Sequence, residues 1–306
     1  MAAAQRARGI GRAALSARSH LIGNLMDTAR ATFGRLGDTP ERDYSLKLRL
    51  FNALAEPELR AAIASLRLEP GMRVLDAGCG TGEMLGWLAA AVALGGLAVG
   101  VDLSRTHLVA ARHSSPDALL LQADLLRAPL VVGSFDLVWS VNTVHHLPDP
   151  AVGARTLAAL LRPGGRLALG QSSLLPDMYF AWDARLERLT NEAVRAYYRD
   201  RYRLSEYDLT AVRGMLGLLH GAGLVRVTAR TFVIERFAPL DAHSRDWLLE
   251  AIFRGTWGER LRPYLSAADH KTLTGLCDPQ HPEFALSRPD FHFVQTFTLG
   301  VGELAL

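Results

Sequence analysis

Three aspartates stand where acids are rarely spent, each at the end of a short apolar run: Asp76 in "MRVLDA", Asp102 in "LAVGVD" and Asp124 in "ALLLQAD". The first is followed by Gly78-Cys79-Gly80-Thr81-Gly82 and then Glu83. Mid-chain glycine costs about 0.5–1 kcal/mol relative to alanine in a regular element, so a cluster marks a tight turn or a close approach of backbone to a ligand. Acids flanking both ends make the loop a poor cradle for pyrophosphate and suit a ligand with a cationic amino or sulfonium group. The loop also departs from G-x-G-x-x-G. Asp102 follows Gly80 by 22 residues, about the offset at which an acid reaches ribose hydroxyls. Each acid has a plainer reading as a cap of a loop or helix N-terminus.

A second set could move protons. "NTVHHLPDP" places His145 and His146 side by side, and histidine is the side chain best suited to take a proton near neutral pH. "RAYYRDRYR", which includes Tyr197, Tyr198 and Arg199, offers aromatic faces and guanidinium groups for an aromatic or anionic acceptor. The alternative is a solvated helix face with its aromatics turned inward. The Cys79 thiol is expected to be a small packed residue, not a nucleophile.

These residues need a scaffold, and the pattern supplies one. From Gly71 the chain alternates short apolar strands with helices: "MRVLDA", then "GEMLGWLAAAVA" ended by Gly95-Gly96, then "LAVGVD". Ser104 caps a helix through "RTHLVAARHS", and "ALLLQAD" and "SFDLVWSV" are the third and fourth strands. A helix through "AVGARTLAALL" is expected to stop at Pro163-Gly164-Gly165, before a fifth strand, "RLALGQ". Apolar strands joined by right-handed helical crossovers make a doubly wound, Rossmann-like α/β sheet, with ligands beyond the carboxyl ends of the strands. "LVRVTARTFVIERF" and "FHFVQTFTLGVG" add two strands. Residues 41–68, 174–204 and 239–289 are expected to be helical lid segments of a single domain, 41–306. The eighteen uncharged residues Met84–Val101 read as helix, turn and buried strand and not as a membrane span, because Leu94-Gly95-Gly96 interrupts them.

Composition narrows the class. Of 306 residues, 49% are hydrophobic and 21% charged, the profile of a soluble globular chain. A net charge of +3 is too weak and too spread out to argue for nucleic acid. Two cysteines cannot build a disulfide framework, which favours a reducing, cytoplasmic setting. Residues 1–40 read as a basic leader. Its first 26 residues hold Arg6, Arg8, Arg12 and Arg18 but no acid, compatible with an amphipathic helix, a transit peptide or a solvated tail.

The chain resembles the class I S-adenosylmethionine-dependent methyltransferases, in their small-molecule "type 11" branch. "VLDAGCGTGEM", "VGVDLS", "QADLLRAPLVVGSFDLVWSVNTVHHLPDP" and "LRPGGRLALG" occur in that order at ordinary spacing. The resemblance implies a seven-stranded sheet whose last strand is antiparallel. It implies S-adenosyl-L-methionine as cofactor, with Gly78 and Gly80 admitting the methionine half and ribose, and Cys79 in the same loop. Asp76 would anchor the amino group, Asp102 the ribose hydroxyls with Leu103 beside it, and Asp124 the adenine amino group between Ala123 and Leu125. Asn142 would line the pocket near the methyl group. The histidine pair recurs in that family with many substrates, so a structural role for it stands beside general base catalysis. "SVNT" after the fourth strand lacks the Asn/Asp-Pro-Pro-aromatic motif of nucleic-acid amine methylation. A small organic metabolite, methylated at oxygen or carbon by a monomer or homodimer without metal, nucleic acid or integral membrane association, is the reading that results. A catalytically silent cofactor-binding regulator is the alternative, and an NAD-dependent oxidoreductase a weaker one.

Overall fold

The computed structural model describes residues 35–36, 38–41, 43–172, 183–204 and 211–306, with side chains of the last block from Arg213. Residues 1–26 of the basic leader lie outside the described residues, as do residues 174–182 of the second lid segment.

Seven strands form one sheet: β1 (Arg73–Ala77), β2 (Leu97–Asp102), β3 (Leu119–Gln122), β4 (Phe135–Val141), β5 (Leu161–Ser172), β6 (Val225–Phe237) and β7 (His292–Glu303). Their order is β3-β2-β1-β4-β5-β7-β6. The first five pair in parallel, and β7 runs antiparallel to both β5 and β6. The expected Rossmann-like sheet with an antiparallel last strand is therefore present.

The central strands β1, β2, β4 and β5 read as apolar runs because both faces are covered, whereas β3 and β6 at the two edges are largely exposed. Val74, Leu137 and Trp139 pack into one apolar cluster, and Leu75, Val99, Val101 and Val138 into another. The first is the larger. It takes in α1 (Ser45–Leu54), α2 (Glu56–Ser65) and α3 (Glu83–Ala91), together with Phe291, Phe293 and Phe297 around β7. The second is closed by α5 (Pro150–Ala159) and α7 (Ala211–Gly221) through Leu157, Met215 and Leu219. The uncharged Met84–Val101 segment is α3, a turn and β2, and among the described residues no helix is long and apolar enough to cross a membrane.

One boundary differs from expectation. Helix α5 ends at Ala159, and Pro163-Gly164-Gly165 lies inside β5. The reason is pairing: the Gly164 N–H donates to the Leu304 carbonyl at 2.9 Å, and the Leu304 N–H to the Gly165 carbonyl at 2.8 Å. Those bonds come from the far end of the chain, so local breaker residues do not foretell them.

The insertions are helical. Residues 184–202 form α6 (Ala184–Tyr202). After β6, α8 (Ala242–Asp246) widens into a π-helical stretch, Trp247–Trp257, followed by a 3-10 stretch, Gly258–Tyr264, and α9 (Ala267–Cys277). Trp247 packs on Phe51 of α1 with ring centroids 5.4 Å apart. A half-buried ion pair, Arg236 to Glu58 at 2.9 Å, ties β6 to α2.

Candidate active site

Because the first four strands are parallel, their carboxyl ends deliver Asp76, Asp102, Asp124 and Asn142 to one edge of the sheet. Asp76 pairs across β1 with Gly100 of β2 and Trp139 of β4, so it stands at the centre. The loop that follows it turns sharply, with φ of +86° at Gly78, +51° at Gly80 and +88° at Gly82. None of the three positions has room for a side chain, and a Cβ on Gly82 would sit 2.8 Å from Ala111 Cα. A Cβ on Gly78 would sit 2.2 Å from Thr143 Oγ1, and one on Gly80 would sit 2.9 Å from Leu48 Cδ1. The glycines thus bring the loop after β4 and helix α1 hard against the loop after β1.

The acids differ sharply in environment. Asp76 is 1% exposed, and its Oδ2 has no hydrogen-bond partner among the described residues. Burial first, then the charges of Asp102 and Glu83, push its carboxyl up to about 8. Glu83 is held in place by Asn52 Nδ2 of α1, 2.8 Å from Oε2, and by the Thr81 hydroxyl at 2.6 Å. A buried, orphaned carboxyl of this kind is under-satisfied as it stands, and a cationic amino group is the partner that relieves both burial and repulsion.

Asp102 is almost fully engaged. Its Oδ2 accepts from the Gly80 N–H at 2.9 Å, and its Oδ1 from the Ser104 N–H at 2.8 Å and from His107 Nδ1 at 3.1 Å. A carboxylate has about four lone-pair positions. The position left lies on Oδ2, room for one strong hydroxyl hydrogen bond. Asp124 accepts the Leu126 N–H at 3.0 Å and remains half-buried, while Leu125 is buried in the apolar cluster beside β2. Ala123 and Leu103 are half-buried on either side, the Ala123 N–H donating to the Asp102 carbonyl at 3.1 Å. Cys79 is 3% exposed, packs in the larger core cluster, and burial raises its thiol well above the usual range. Asn142 has a left-handed φ of +51°, and its Oδ1 accepts from the Ser172 N–H at 2.8 Å and hydroxyl at 3.0 Å. Its side chain thereby joins the ends of β4 and β5.

The histidines sit in a short 3-10 turn, Val144–His146, with ring centroids 4.2 Å apart. His145 Nδ1 is buried without a partner among the described residues. Burial, then His146 and Arg35, hold His145 well below the usual imidazole range, so it is neutral. His146 is different: its Nδ1 lies 3.0 and 3.1 Å from the two carboxylate oxygens of Asp38. The Arg35 N–H donates to the His146 carbonyl at 2.7 Å, and the Tyr44 hydroxyl to Asp38 Oδ1 at 3.4 Å. Residues just ahead of α1, within or next to the stretch read as leader, therefore pack on the histidine turn.

Asp38, Tyr44 and His107 were not singled out by sequence reasoning. His107 carries a faint signal, a histidine on the first turn of a helix capped by Ser104, five residues after a site acid. Asp38 carries none, since 108 residues separate it from His146. Of the acceptor candidates on α6, Tyr197 packs edge-on against Tyr264 at 6.4 Å and beneath Arg260 at 5.4 Å, Tyr198 packs against Tyr202, and Arg199 is exposed. No group of three or more His, Cys, Asp or Glu side chains among the described residues could hold a metal ion.

This donor set fits an unphosphorylated nucleoside with a cationic tail: an orphaned buried acid, a carboxylate with one acceptor position left, and a third acid near an apolar wall. Comparison with known proteins agrees. A methyltransferase-domain family profile matches residues 75–169, and a profile for protein-L-isoaspartate(D-aspartate) O-methyltransferase matches residues 13–117. The chain is 38% identical to 27-O-demethylrifamycin SV methyltransferase of Amycolatopsis mediterranei over 118 residues, 37% of this chain and 43% of that one. It is 30% identical to nocamycin O-methyltransferase of Saccharothrix syringae over 222 residues, 68% of this chain and 76% of that one. Several curated relatives are spanned over about half of their length or less. In fold, the crystal structure of the YcgJ protein from Bacillus subtilis superposes with a TM-score of 0.53 at 17% identity, covering 82% of this chain and 99% of that one. With the nocamycin relative spanned over three quarters of its length and the seven-stranded sheet in place, the chain belongs to the class I S-adenosylmethionine-dependent methyltransferases.

Proposed function

We propose that the protein transfers a methyl group to a hydroxyl oxygen of a small organic acceptor, with His146 as the group that takes the hydroxyl proton. The observation that carries this reading is the His146–Asp38 pair. A carboxylate that accepts the Nδ1 hydrogen fixes the tautomer and leaves the Nε2 lone pair as the basic site. The carboxylate also compensates the imidazolium that forms when Nε2 is protonated. His145, held neutral 4.2 Å away, adds no competing charge. The relatives that methylate 27-O-demethylrifamycin SV and, at oxygen, nocamycin point the same way.

When bound, S-adenosylmethionine supplies a methyl carbon activated by a sulfonium. The remaining work falls to this chain. Asp76 receives the cationic amino group, Asp102 a ribose hydroxyl through Oδ2, and Asp124, with Leu125 beside it, the adenine edge. Alignment of acceptor and methyl is worth several kcal/mol in reactions of this type, and the helical segments exclude competing water. Proton removal by a positioned base adds roughly 10²–10⁴-fold.

Incubation with methyl-labelled cofactor and panels of phenols, macrocyclic alcohols and carboxylic acids, followed by mass spectrometry, tests the reading. O-methylated product that His146→Ala reduces at least a hundredfold supports it. Labelled product on carbon or nitrogen, or no product from a protein that binds S-adenosylhomocysteine, overturns it.

A further inference from the structure

We propose that His107 is a positioning residue of the cofactor site, a single imidazole that fixes the carboxylate of Asp102 and latches the residues ahead of α1 across the cleft. The inference rests on the reading of Asp102 as the ribose-binding acid.

His107 is 6% exposed, on the first turn of α4 (Arg105–Ser114). Its two ring nitrogens have different partners. Nε2 lies 3.0 Å from the backbone nitrogen of Tyr44, and Nδ1 lies 3.1 Å from Asp102 Oδ1. A backbone N–H can only donate, so Nε2 carries no hydrogen; the ring hydrogen is on Nδ1 and donates to Asp102. Two contacts thus set one tautomer, and the ring cannot turn without breaking both.

The Tyr44 end reaches further. Its ring stands 6.2 Å from that of His107, after β2, and 6.5 Å from that of His146, after β4. Asp38, which accepts from the Tyr44 hydroxyl, holds His146. Residues ahead of α1 therefore span from one strand end to another, over the glycine loop that α1 touches through Leu48. A hydroxyl bound to Asp102 Oδ2 fixes the carboxylate, the carboxylate fixes the imidazole, and the imidazole holds the Tyr44 backbone. Cofactor binding and closure of this segment are coupled through one ring.

Two substitutions separate the contacts. His107→Asn keeps a donor near the Nδ1 position, toward Asp102, and falls short of Tyr44. His107→Gln puts an acceptor near the Nε2 position, toward Tyr44, and gives up Asp102. Amide hydrogen exchange of the ligand-free protein over residues 43–50 and calorimetric titration with S-adenosylhomocysteine read the two ends. The Asn variant is expected to exchange at least tenfold faster over 43–50, and the Gln variant to bind at least tenfold more weakly with exchange near wild type. In the wild type, S-adenosylhomocysteine should slow exchange over 43–50, a result that needs no variant to fold. Kinetically, the Gln variant should raise the KM for the methyl donor at nearly constant kcat. Wild-type behaviour of both variants, equal losses by both in both readouts, or no ligand effect on exchange overturns the inference. Failure of the wild type to bind S-adenosylhomocysteine would instead overturn the cofactor reading, while the exchange of the ligand-free variants still tests the latch.

Discussion

His146 Nδ1 lies within 3.1 Å of both carboxylate oxygens of Asp38, and this pair joins the turn after β4 to residues that precede the first helix. If the pair takes the acceptor proton, Asp38→Asn should lower kcat at least tenfold while leaving the dissociation constant for S-adenosylhomocysteine within about twofold. His146→Ala should cost roughly 10²-fold or more, the range for loss of a positioned base. Steady-state kinetics beside calorimetry separates the effects; parallel losses in binding and kcat would assign the pair to closure of the cleft instead of chemistry.

Asp102→Ala should weaken cofactor binding at least tenfold, about 1.4 kcal/mol. It should also lower the melting temperature, because three donors lose their acceptor. Unchanged affinity for S-adenosylhomocysteine would remove Asp102 from the binding site.

The raised carboxyl of Asp76 makes both stability and binding depend on pH. Its folded value, about 8, lies above its ordinary value of 3.8. Between those values the folded protein keeps a proton that the unfolded chain gives up, so this group's contribution to stability is lost as pH rises through that window. Asp76→Asn should flatten the pH dependence of the melting temperature there. A cationic amino group selects the carboxylate form, so ligand binding should release a proton and tighten with pH by up to tenfold per unit below about 8. Calorimetry of S-adenosylhomocysteine in buffers of different ionisation enthalpy would detect that proton; none released at pH 7 would exclude the pairing.

Gly78 and Gly95 share a left-handed φ, +86° and +95°, but only Gly78 is crowded. Gly95→Ala should cost about 1 kcal/mol, from backbone strain alone. Gly78→Ala adds a clash with Thr143 and should cost roughly 3 kcal/mol or more. Denaturant melts compare the two directly, and equal costs would mean that the loop after β4 yields freely.

The alternation of apolar runs and helical periods was enough for the sheet, since buried parallel strands and crossover helices leave period and length in the sequence itself. It also placed Asp76, Asp102, Asp124 and Asn142, because an acid or amide that ends such a strand can only arrive at the carboxyl edge. The start of β5 at Leu161 was not legible, because it rests on an irregular pairing with Phe135 of β4 and on bonds joining Gly164 and Gly165 to Leu304. The contact of Tyr197 with Tyr264 was not legible either, because 67 residues separate the two rings.

The sequence by itself therefore determined the sheet, its glycine loop and the row of acids along one edge. Tertiary structure decided which of those acids has a partner. Among the described residues, Asp76 lacks one for Oδ2, Asp102 has three donors, and His146 finds Asp38 from 108 residues away. The physical reason is range. Periodicity and strand ends are local properties of a chain, whereas hydrogen-bond satisfaction of a buried group depends on whatever distant segment the fold lays against it.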